Sequence, residues 1–79
     1  MAPVLPVVSA DEAVRTFERL GYRVVRQRGS HIRLRHPSDP QRPPLTVPNH
    51  RQLKVGLLRG LIRTANLSVE EFVELLNDS

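Results

Sequence analysis

The chain is 79 residues long, 39% apolar and 25% charged, with no cysteine and a formal net charge of +4. A chain of this length buries only about 60–65% of the surface its unfolded form exposes, which excludes a two-domain enzyme, a doubly wound cofactor fold and a barrel. The missing cysteines exclude a disulfide scaffold, a thiolate zinc site and a cysteine nucleophile. No apolar run reaches the ~18–20 residues of a membrane span and no leader pattern opens the sequence, so the expectation is a cytoplasmic protein with no membrane partner.

Residues 1–8 carry Pro3 and Pro6 without a helical period and read as an extended lead-in. Ser9 and Glu12 form an S-x-x-E capping box. Ala13, Val14, Phe17 and Leu20 then share one helical face, and Gly21 stands where a left-handed cap is needed. Tyr22–Gln27 and His31–His36 read as strands around Arg28-Gly-Ser30, a glycine-bearing hairpin connector. Along the second strand Ile32 and Leu34 take one face, and His31, Arg33 and Arg35 the other. Residues 37–44 include four prolines and form a loop; Leu45–Val47 is a third short strand stopped by Pro48. Val55, Leu58, Leu61, Ile62 and Ala65 return to helical spacing, with Asn66 as the cap. Ser68 and Glu71 make a second capping box before Val69, Phe72, Val73 and Leu76. These elements predict a single α+β domain over residues 1–79. It has the order α-β-β-β-α with a short extra C-terminal helix, and a three-stranded antiparallel sheet with its helices on one face.

The net charge conceals a segregation. Between Gly21 and Arg63 ten cations face one carboxylate, Asp39, a balance of +9, whereas residues 66–79 hold four carboxylates and no cation. A basic body points to a polyanion, most simply nucleic acid. Strand parity puts His31 in a row with Arg33 and Arg35 on the face without helices, beside Arg26 and Arg28. An imidazole transfers protons near neutral pH, and guanidinium groups match the charge of a phosphorane. RNA carries its own nucleophile, so these residues meet the minimum for cleavage without metal or cofactor. The competing reading is a solvated surface histidine. Structural roles suit His36, under the loop, and His50, before the second long helix. The histidine spacings fit no metal site, and no glycine-rich nucleotide-binding motif is present. Arg59 and Arg63, four apart on a helix, and Lys54 add cations that can grip a backbone. With Phe17 and Phe72 assigned to the core, no aromatic platform stacks bases. A non-catalytic double-stranded-RNA-binding-like module and a basic partner-binding protein stand as alternatives.

The run from Leu20 to Ile32, which contains Gly29-Ser-His31, resembles the HicA-type toxins of bacterial toxin–antitoxin pairs. Val47-Pro-Asn-His50 and the stretch Leu53–Arg63 resemble them too, so the likeness extends from about Val8 to Leu76. It implies a double-stranded-RNA-binding-domain-like fold. It also implies an mRNA endoribonuclease (an mRNA interferase) that blocks translation and is neutralised by a HicB-type antitoxin. The resemblance makes His31 the catalytic residue. Arg26, Arg28, Gly29, Ser30, Arg33, Arg35, Lys54, Arg59 and Arg63 are the expected RNA contacts, with no metal and no small-molecule cofactor.

Overall fold

The computed structural model describes residues 4–78, and the first three residues of the expected lead-in lie outside them. Six elements follow in the expected order: α1 (Ala10–Leu20), β1 (Arg23–Arg28), β2 (His31–Arg35), β3 (Leu45–Pro48), α2 (Val55–Thr64) and α3 (Val69–Asn77). The strands form one antiparallel sheet in the order β1-β2-β3. This is the double-stranded-RNA-binding-domain-like α+β arrangement, extended by α3.

Local chemistry sets the helix ends. Ser9 and Ser68 each accept the backbone N–H of a glutamate three residues on, Glu12 and Glu71, and each glutamate returns the bond to the serine N–H. Four bonds thereby satisfy orphan amides at the starts of α1 and α3. At the other end of α3, which has no basic residue in its last turn, Arg19 from α1 donates to the carbonyls of Leu75 and Leu76. A cation at a helix C-terminus opposes the negative pole there, and this one also ties α3 to α1.

Gly21 ends α1 at φ +116, and a Cβ there would meet the His36 ring at 2.5 Å. The turn directs Tyr22 into the core, where its N–H bonds Phe17 and its ring meets the edges of Phe17 and His36. The first strand therefore spans Arg23–Arg28 instead of Tyr22–Gln27, and Gly29-Ser30 alone closes the hairpin. Pro48 is the last residue of β3, and α2 ends at Thr64, with Ala65 as its cap and Asn66 left-handed at φ +60. The lead-in is packed: Leu5 and Val8 are buried, and the Val8 carbonyl accepts the Leu53 N–H.

Phe17, Tyr22 and Phe72 centre a core completed by Leu34, Leu45, Val47, Leu58 and Ile62. The proline-rich loop is bolted to it. His36 accepts the Asp39 N–H at Nδ1 and therefore donates from Nε2 to the Leu20 carbonyl. Tyr22 donates to the Pro43 carbonyl, and Arg42 bonds both Asp39 and the Ala65 carbonyl. His36 is thus the half-buried structural residue its position predicts.

Candidate nucleic-acid interface

Alternation along β2 sends Ile32 and Leu34 into the core and leaves His31, Arg33 and Arg35 exposed. On β3, Thr46 lies opposite Arg33 and is exposed, while Leu45 and Val47 are buried. Simple alternation fails on β1. Arg23 pairs with Arg35 and Val24 with Leu34, but Arg26, not Val25, then pairs with Arg33, followed by Gln27 with Ile32 and Arg28 with His31. Val25 is the extra residue of a β-bulge, and it resets the side-chain parity of everything after it. As a result Arg23, Arg26 and Arg28 share the face of His31 and Arg33. Without the bulge, Val25 and Gln27 would take that face, and Arg26 would point toward the helices.

Arg26, Arg28, His31, Arg33 and Thr46 line a shallow depression of about 180 Å³ on this open face. Arg33 Nη1 donates to Thr46 Oγ1 at 3.0 Å, which holds one guanidinium in place. Among the described residues no hydrogen bond restrains the His31 imidazole. The only ion pair among them is Asp39–Arg42, so the cations of this face carry no carboxylate partner. Gly29 (φ +56) opens the two-residue turn in the left-handed region, which glycine adopts without a Cβ penalty. The Ser30 carbonyl accepts the Asn49 N–H, which clamps the hairpin tip to the chain leaving β3. Gly29 and Ser30 shape the turn that sets Arg28 and His31 side by side.

The other expected contacts lie apart. Arg35 is on the same face but farther along the sheet, opposite Arg23. Lys54 precedes α2, and Arg59 and Arg63 line a groove with Leu67 and Val69 in the helical layer. His50 is exposed, and its carbonyl, not its ring, accepts the Ala10 N–H at the start of α1. Two residues of the open face escaped sequence reasoning. Thr46 was legible as the polar residue between Leu45 and Val47. Arg23 was not, because its parity relative to Arg26 depends on the bulge.

The molecule also has a larger groove of about 690 Å³ along α3, but Glu71, Glu74 and Asp78 rim it. Its charge is wrong for a polyanion. The hydrogen bonds from Ser68 hold the Glu71 carboxyl below the usual range, so it stays ionised. Among the described residues no group of three or more His, Asp or Glu side chains gathers as metal ligands, and no helix is long and apolar enough to cross a membrane.

Compared with known protein families, residues 10–67 match the model for the HicA toxin of bacterial toxin–antitoxin systems. Comparisons with curated proteins and with solved structures give no match.

Proposed function

The chain belongs to the HicA toxin family and is the toxin of a toxin–antitoxin pair; from this premise we propose that it is a metal-independent mRNA endoribonuclease neutralised by a HicB-type antitoxin. One observation carries the reading: His31 lines the same depression as Arg26, Arg28 and Arg33 and is the only imidazole there.

The chemistry follows from that set. Neutral His31 takes the proton from a ribose 2′-hydroxyl as its oxygen attacks the adjacent phosphorus. Arg26, Arg28 and Arg33 face the charge that builds on the phosphorane oxygens. The bond to the 5′-oxygen breaks, and the imidazolium returns the proton to the leaving oxygen. The products are a 2′,3′-cyclic phosphate and a 5′-hydroxyl, with no oxidant or metal in the balance. Thr46 serves as a positioning residue through Arg33.

The test is cleavage of an mRNA in EDTA by the wild-type protein and by His31→Ala, with the new ends identified chemically. The expected result is cyclic-phosphate ends and a loss of about 100-fold or more in the variant. Equal cleavage by both proteins, or none by either, rejects the mechanism.

A further inference from the structure

The two edges of the sheet are treated differently. Pro43 and Pro44 precede β3 and Pro48 ends it, so the chain there lacks amide donors at three positions, a common protection against pairing with another chain. β1 has no proline and is exposed at all six residues. Among the described helices and strands, α1 is the only one besides β2 that packs against it. None of its main-chain groups bonds outside the β1–β2 ladder among them. The helices leave its inner side partly open: Val24, which pairs with buried Leu34, is 43% exposed.

We propose that β1 is a docking edge on which an extended segment of the antitoxin adds as a fourth strand. The register prescribes its chemistry. Toward the open face β1 presents Arg23, Arg26 and Arg28, and toward the helical side it presents Val24 and Gln27, with Val25 left outside the ladder by the bulge. An added strand alternates faces with period two, so carboxylates on one side meet the arginines and an apolar residue on the other covers Val24. A second copy of this chain is disfavoured, because pairing β1 with β1 sets arginines against arginines. An acidic segment at this edge lies beside the depression and neutralises the cations that RNA needs, which makes docking and inhibition one event. The inference rests on the chain being a toxin with an antitoxin partner, and not on His31 cleaving RNA.

A blocked seven-residue peptide alternating Glu and Val is the probe, against a peptide of the same composition with its glutamates and valines in two blocks. Amide hydrogen exchange and titration are read on the full chain at about 0.15 M salt. The expected result is slowed exchange at β1 amides and at least tenfold tighter binding of the alternating peptide. Val24→Ser is expected to weaken it severalfold while leaving exchange in the core unchanged. Equal affinity of the two peptides, protection absent from β1, or the same amides protected by a short RNA instead would each overturn the proposal. None of these readouts depends on cleavage, so loss of nuclease activity leaves the inference standing and its failure leaves the nuclease reading intact.

Discussion

Tyr22 shows how one residue serves the site without belonging to it. Its ring is buried between Phe17 and His36, and its hydroxyl reaches the Pro43 carbonyl, so it holds the proline-rich loop against the turn from α1 into β1. Burial pushes the phenol above its ordinary value near 10; Asp39 adds to the rise and Arg42 opposes it. Because the folded value exceeds the unfolded one, the stabilisation is complete below about pH 10 and is lost as pH rises through the raised value. Tyr22→Phe is therefore expected to cost roughly 1 kcal/mol at neutral pH. It is also expected to show a smaller alkaline decline than wild type. Urea midpoints at about pH 7, 9 and 11 check both effects. An unchanged alkaline slope removes Tyr22 from the account.

At the scale of elements, β1 and α2 contrast in how far packing controls them. The bulge in β1 places three arginines on one face, and only its pairing with β2 specifies that. In α2 the buried stripe of Leu58, Leu61 and Ile62 carries the helix into the core, while Gly60 sits on the exposed side with no atom within 4 Å of where a Cβ would stand. Nothing in the fold requires glycine there, and in a helix interior it is weaker than alanine by up to about 1 kcal/mol. Gly60→Ala is expected to raise stability by about that amount in urea denaturation. A loss of stability would mean that the position is tighter than its surroundings indicate.

The open face of the sheet carries one sign of charge and the helical layer carries both. Arginines without carboxylate partners cover the sheet, while behind it α3 carries Glu70, Glu71 and Glu74 and α2 carries Arg59 and Arg63. If RNA is gripped on the sheet, log affinity falls with log salt by about 0.7 for each phosphate neutralised on a single strand. Measured on His31→Ala to avoid turnover, Arg28→Gln is expected to reduce that slope by about one phosphate's worth. Arg59→Gln with Arg63→Gln is expected to leave it nearly unchanged, since both belong to the helical layer. Equal reductions from the two changes would mean that RNA spans both layers.

The sequence alone determined the element order, both capping boxes, the left-handed turn at Gly21 and the exposure of His31, Arg33 and Arg35. Each follows from signals within a few residues: a serine three before a glutamate, helical spacing, strict alternation. Tertiary structure decided what depends on pairing between segments. Val25 is locally an ordinary strand residue, and only registry against β2 makes it the bulge that brings Arg26 and Arg28 to His31. The same holds for Arg59 and Arg63, whose separation from the sheet face comes from α2 packing on its far side. The cations counted along the chain as one basic body are divided by the sheet. The +9 is therefore shared between two surfaces, and His31 stands on one of them.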